Sequence, residues 1–264
     1  MNQLTPFVQR LLIINVVLFA LSYIFDNQLH LYHYLILHGV YAEGFAAYQI
    51  VTNIFMHADF RHLFGNMLGL YFFGPLLEHF LGFKKFLILY FVCGVGAGLL
   101  YWGINAYQVR LVREDAIAFL NSPNPDSFNQ FVDKHNSHEY NNQLNLIDAY
   151  AEHPEDPELQ QQTKHQVVQV VYDVTNFGLL GASGAIFGIL MAFALLFPNT
   201  ELMLLFLPVP IKAKYLVGVY AAIEIYSLYA NRPNDNVAHF VHIAGMIFAF
   251  ILIRYWKTNR NSFY

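Results

Sequence analysis

Four polar side chains interrupt otherwise apolar stretches of this chain: His62 and Asn66 in one, Ser183 in a second and His242 in a third. A serine hydroxyl attacks a carbonyl only if a base takes its proton. Imidazole can accept that proton and later return it to a leaving amine, so His242 is the candidate base for Ser183. Attack creates an oxyanion that positioned donors must meet. His62 and Asn66 are an i, i+4 pair, project from one helix face toward one point, and are the candidate oxyanion donors. Backbone N–H groups at the start of the helix carrying Ser183 add to them. No Asp or Glu stands at this level in the neighbouring helices, so a Ser–His dyad is expected, its imidazole oriented by packing. Phe187 lies one turn after Ser183 on the same face and could stack on it.

The elements that must position these groups are membrane helices. Of 264 residues, 56% are hydrophobic and 12% charged, against about 25% charged in a soluble domain. The net charge of −4 supplies no basic stripe, and no nucleic-acid partner is expected. The lone Cys93 can make no internal disulfide and reads as a packing residue. Six apolar segments are about long enough to cross a bilayer as helices: Phe7 to Phe25, His62 to Leu81, Phe86 to Tyr107, Leu179 to Phe197, Lys214 to Ala230 and Val237 to Tyr255. The first lacks a small-x-small cleavage site and is expected to remain as an anchor.

Lys and Arg in short connections mark the cytoplasmic side. Arg10, Lys84 with Lys85, Lys212 with Lys214, and Arg254, Lys257 and Arg260 all fall on one side, while the short opposite connections, Asp26 to Asp59 and Asn231 to Asn236, hold only Arg232. Both termini are therefore expected inside, with helices two, four and six running inward. At 1.5 Å per residue, His62, Asn66, Ser183 and His242 then share a level within roughly 10 Å of the outer face.

Gln108 to Asn176 is rich in Asn, Gln, Asp and Glu with four prolines, and reads as a solvated outer insertion within a single domain spanning residues 1–264. Apolar spacing at Arg110 to Leu120 and Leu159 to Tyr172 predicts short surface helices there. The run Leu29 to Gly39, rich in His and Tyr, is too interrupted to span and suits the outer interface. Prolines 198, 208 and 210 forbid a continuous helix between Phe197 and Lys214, suggesting a re-entrant turn.

Each residue also has a plainer account. Gly181-Ala-Ser-Gly184 with Gly188 is a small-residue packing face, as are Gly94, Gly96 and Gly98. His62 with Asn66 could be an interhelical hydrogen bond and His242 a satisfied interior histidine. Glu224, expensive in mid-helix, could be a proton-relay or gating group, and is rather expected to bond a neighbouring helix or face the cavity. Glu78 and His79 are expected to cap the entry to helix three. His57 and His239, at the outer ends of helices two and six, could shape the cavity mouth, and simple residence at the interface is the plainer expectation. Co-location of the four polar groups tips the balance toward chemistry.

Four pieces of sequence carry a resemblance: His57-Ala-Asp-Phe-Arg-His62-Leu-Phe-Gly-Asn66, Gly74-Pro-Leu-Leu-Glu78, Gly181-Ala-Ser183-Gly184 and Ala238-His-Phe-Val-His242-Ile-Ala-Gly245. The chain resembles the rhomboid intramembrane serine proteases of the six-helix bacterial type. The resemblance implies an all-α integral membrane protein, a six-transmembrane-helix bundle, with Ser183 as nucleophile, His242 as base, and His62 and Asn66 as oxyanion donors. It implies cleavage of single-pass transmembrane helices near their outer end in a bacterial cytoplasmic membrane, without metal or cofactor. It also implies that helix five and the loop Asn231 to Asn236 act as lateral gate and cap. Phe187 stands where members often have Tyr, the first outer loop lacks the Trp-Arg pair of many relatives, and the long insertion is unusual.

Two other classes compete. A non-catalytic rhomboid-like escort would be expected to lack Ser183 or His242. A metal or proton transporter using His57, His62, His239 and His242 would be expected to show acidic ligands and paired broken helices. A zinc protease would need His-Glu-x-x-His, which is absent from the sequence.

Overall fold

In lipid a backbone must satisfy its own polar groups, and runs this apolar do so as helices. The computed structural model, described over residues 4–135, 140–204, 207–230 and 238–258, is mostly helical. Helix α1 spans Pro6–Leu29 and α2 Leu31–Leu35; strand β1 is Leu37–His38; α3, Gln49–Thr52, runs into a 3-10 turn at Asn53–Phe55. Then come α4 (Phe60–Asn121), α5 (Pro125–His135), α6 (Tyr140–Glu152) and α7 (Pro157–Thr175). Strand β2 (Gly178–Leu179) leads into α8 (Ser183–Leu196); β3 (Glu201–Leu204) and β4 (Leu207–Lys212) precede α9 (Ala213–Ala230) and α10 (His239–Thr258). Among the described residues, three helical stretches are long and apolar enough to cross a membrane, Pro6–Phe25, Phe60–Asn121 and His239–Lys257, and Ser183–Leu196 is a shorter apolar helix.

Asp59 fixes the start of α4. Its extended backbone and side chain, which accepts from the His62 N–H at 2.9 Å, form an N-cap that sets the first turn carrying His62. Gly82, at φ 75°, breaks α4 into two arms, so predicted segments two and three share one continuous element. Between these arms and α10 sits α8, whose small residues allow close approach. A Cβ on Gly188 would lie 2.5 Å from Cβ and Sγ of Cys93 on α4, and one on Gly245 of α10 would strike the carbonyl oxygen of Gly184. The small-residue face thus packs helices, and the same crossing brings His242, one turn before Gly245, beside the start of α8.

Three expectations are corrected here. Helix four does not begin at Leu179: that residue lies in β2, paired with Leu37 of β1, because Gly181 turns the chain at φ 118° before the helix starts at Ser183. Glu78 does not cap the entry to helix three. Its carboxylate accepts from the Thr5 hydroxyl and from the N–H groups of Phe7 (3.2 Å) and Val8 (3.0 Å), capping α1 across the bundle. The connection between Phe197 and Lys214 holds the antiparallel pair β3–β4, with Glu201 opposite Lys212, and not a re-entrant turn. Prolines 208 and 210 suit a two-stranded edge, where a missing N–H is tolerated.

The insertion is also more ordered than two short surface helices. The segment from Arg110 continues the second arm of α4 without interruption, since no breaker intervenes before Pro123. α5 to α7 fold back on it around Phe119, Phe128, Phe131, Tyr150 and Val167, a hydrophobic cluster separate from the membrane core. The Leu159 to Tyr172 helix is present within α7. In the loop between α1 and α4, where the Trp-Arg pair is missing, Gln49 does the bracing. Its amide accepts from the N–H groups of His38 and Ala46 and donates to the carbonyls of Tyr34 and Gly44.

Candidate functional site

Ser183 is the first residue of α8, following Ala182 at the cap. The opening N–H groups of a helix have no intrahelical acceptor, so those of Ser183 and Gly184 are available beside the Ser183 hydroxyl. Gly181 is required just upstream. Its positive φ disfavours a side chain, and a Cβ there would sit 2.7 Å from the His62 ring while lying 3.7 Å from Ser183 Oγ. His62 and Ser183 Oγ therefore border the same small volume around Gly181.

A cavity of about 1610 Å³ opens on this volume, lined among others by His62, Asn66, Ser183, Phe187 and His242. The structure brings together all four candidate residues. Asn66 is buried, and its Nδ2 meets no acceptor among the described residues, so a donor is held ready with nothing to bond. Phe187 lies face to face with His242, ring centroids 4.1 Å apart and planes 11° from parallel, as its position one turn after Ser183 predicts.

The expected absence of a carboxylate is overturned. Glu224 of α9 places Oε2 2.9 Å from His242 Nδ1 and 2.6 Å from His239 Nδ1. A carboxylate only accepts, so both imidazoles donate through Nδ1. The neutral His242 ring is left with Nε2 as its bare, proton-accepting nitrogen. Glu224 thus bonds a neighbouring helix, as expected of a mid-helix acid, yet its partner is the candidate base itself. The proposed cap Asn231 to Asn236 lies outside the described residues, as do Arg232 and Arg260.

His57 is buried, at 3% exposure, rather than simply interfacial, and packs edge-on against His62 with centroids 5.0 Å apart. Burial and the neighbouring His62 push its pKa down from 6.5 to about 4. As pH falls, the unfolded chain takes up this proton before the folded one does. His57 therefore contributes stability that is complete above pH 6.5 and is lost as pH falls from there to about 4. In detergent, thermal unfolding of His57→Leu is expected to vary less across that window than the wild type, and equal pH dependence would remove the assignment.

A family model described as Rhomboid domain matches residues 45–112 and 162–257. The chain belongs to the rhomboid family. Three relatives extend the comparison. RHOMBOID-like protein 12, mitochondrial, of Arabidopsis thaliana is 28% identical over 43% of this chain and 33% of its own length. Rhomboid-like protein 11, chloroplastic, of the same plant is 34% identical over 35% of this chain and 31% of its own length. An uncharacterized mitochondrial rhomboid protein of Schizosaccharomyces pombe is 27% identical over 82% of this chain and 53% of its own length. The chain thus spans from about a third to about half of the length of these rhomboid relatives. Between the two matched parts of the rhomboid domain, 113–161 stays unmatched; it holds the end of α4, α5, α6 and the start of α7.

Proposed function

We propose that this rhomboid is an intramembrane serine endopeptidase that hydrolyses a peptide bond of single-pass transmembrane helices near the outer face of the bilayer. The observation that carries the reading is the lining of one cavity by Ser183, His242, His62 and Asn66, with Phe187 stacked on the imidazole. In this reading both arms of α4 cross separately, giving six spans with α1, α8, α9 and α10. Both termini are cytoplasmic, in a bacterial inner membrane, and residues 108–176 are an extracytoplasmic insertion.

Ser183 Oγ attacks the scissile carbonyl as its proton passes to His242 Nε2. The oxyanion is met by Asn66 Nδ2, His62 and the N–H groups opening α8. The imidazolium then protonates the leaving amine, and water admitted to the cavity releases the acyl group by the reverse sequence. A peptide bond within a regular helix has its carbonyl already bonded, so the substrate must unwind locally before attack.

Glu224 acts here as a positioning residue, fixing the tautomer and the ring plane of His242. Glu224→Gln is expected to lower kcat by roughly 10²- to 10⁴-fold, with KM within about twofold and with Glu224→Asp recovering part of the loss. A change confined to KM, or full kcat in the Gln variant, would show that stacking alone orients the ring. The reading as a whole is tested by incubating purified protein with a single-pass helix in liposomes and locating any cut by mass spectrometry. A Ser183-dependent cut near the helix's outer end is the expected result. Binding of the helix without a cut across a panel of substrates would make the protein a non-catalytic escort.

A further inference from the structure

The base, the carboxylate that holds it and the second imidazole on that carboxylate also meet the requirements of a metal. His239 and His242 stand at i, i+3 on α10 and present neighbouring imidazoles, and Glu224 reaches them from α9. One ligand atom from each lies within 4.8 Å of the other two, the single such trio of His, Cys, Asp or Glu among the described residues. We propose that Glu224, His239 and His242 form an inhibitory site for a divalent transition cation of the Zn²⁺ type. The inference rests on reading His242 as the base.

Two imidazole nitrogens and one carboxylate oxygen suit Zn²⁺, with metal–ligand bonds of about 2.0–2.2 Å, whereas Ca²⁺ and Mg²⁺ call for oxygen ligands. Tetrahedral bonds of that length set ligand atoms about 3.3 to 3.5 Å apart. The N···O separations of 2.6 and 2.9 Å therefore need to open by less than an ångström. The scaffold can give by that amount. Of the residues of α9, only Ala213, Val217 and Glu224 are buried, so the helix carrying the carboxylate is lightly held. Of the three ligands His242 lines the cavity, so the site borders it, and water from the cavity supplies the fourth position.

Capture of the ion reverses the tautomer that the hydrogen bonds impose. A neutral imidazole binds metal through its lone pair, so the Nδ1 protons of His239 and His242 each move, by way of water, to the Nε2 of the same ring. Each ring keeps one proton and Glu224 remains a carboxylate, so charge and protons balance. His242 then presents Nε2–H toward the cavity and can no longer accept the Ser183 proton. The metal occupies the same atoms that would otherwise hold the base and silences it.

Zn²⁺ binding to detergent-purified Ser183→Ala should be measured by titration calorimetry, beside the same variant carrying His239→Gln or Glu224→Gln. One ion per chain, with affinity reduced at least tenfold by either added change, is the expected result. Unaltered binding in both double variants, or no binding by Ser183→Ala, overturns the site. Should His239→Gln fail to elute as a single species, His239→Asn replaces it, with the same readings. In the cleavage assay the wild type is expected to lose at least tenfold in rate at saturating Zn²⁺ and to recover with a chelator. Undiminished cleavage with the ion bound overturns the tautomer argument. A protein that binds Zn²⁺ through these ligands yet cleaves nothing, even free of metal, sinks the protease reading and leaves the metal site standing.

Discussion

Ser183→Ala is expected to reduce kcat by roughly four orders of magnitude or more, the scale on which removal of a nucleophile acts when it works as a unit with its base. The folded state should be nearly unaffected, because the change deletes one oxygen from a buried side chain at the first turn of α8. Alanine also lets Gly181 and Gly184 keep their close contacts. Thermal unfolding should therefore match the wild type, and binding of a test helix should persist. The measurement is single-turnover cleavage with the helix in liposomes, followed by mass spectrometry. Residual cleavage at a tenth of the wild-type rate would show that another group attacks, and Ser183 would revert to being a packing residue.

Gly245→Ala tests the other role of the same helix crossing, and here the expected loss is in folding. The added methyl would meet the Gly184 carbonyl oxygen, a backbone atom with no rotamer to adopt, and it also lies close to Gly184 C and Cα. Relief requires α8 and α10 to separate. Overpacking of this kind costs about 1–3 kcal/mol and more when backbone must move, so a loss of about 3 kcal/mol and a clear fall in thermal midpoint are expected. Activity should fall further than stability, since His242 is displaced with its helix. Gly103→Ala is the control: it faces open space within the second arm of α4 and should be neutral or slightly stabilising. A Gly245→Ala protein with wild-type midpoint and rate would mean that the crossing is slack.

What the sequence reveals and what it hides follow from how far each determinant reaches along the chain. The i, i+4 relation of His62 with Asn66 and the one-turn spacing of Ser183 with Phe187 are local, and both pairs meet at the cavity. Helical periodicity likewise locates the apolar runs. The role of Glu224 is not local. Mid-helix placement marks it as costly, but its partner depends on how α9 and α10 lie side by side. A signal does exist: Glu224 is under two turns from the C-terminal end of α9 and His242 one turn from the start of α10, so helices joined by a short connection must set them near one level. Glu78 gives no such clue, because its partners at Thr5, Phe7 and Val8 lie about seventy residues away. The start of α8 was masked by apolar composition, which cannot tell Leu179 in a strand from Leu179 in a helix.

The cap on α1 has a consequence for biogenesis. The N–H groups of Phe7 and Val8 are synthesised about seventy residues before the carboxylate that satisfies them. Until then the leading turn must borrow water or lipid headgroups as acceptors. α1 can enter the bilayer early, but it can dock only after the first arm of α4 has followed it. The cap that Glu78 places on α1 therefore closes only after the first arm of α4 has been made, which sets the order in which these two helices pair.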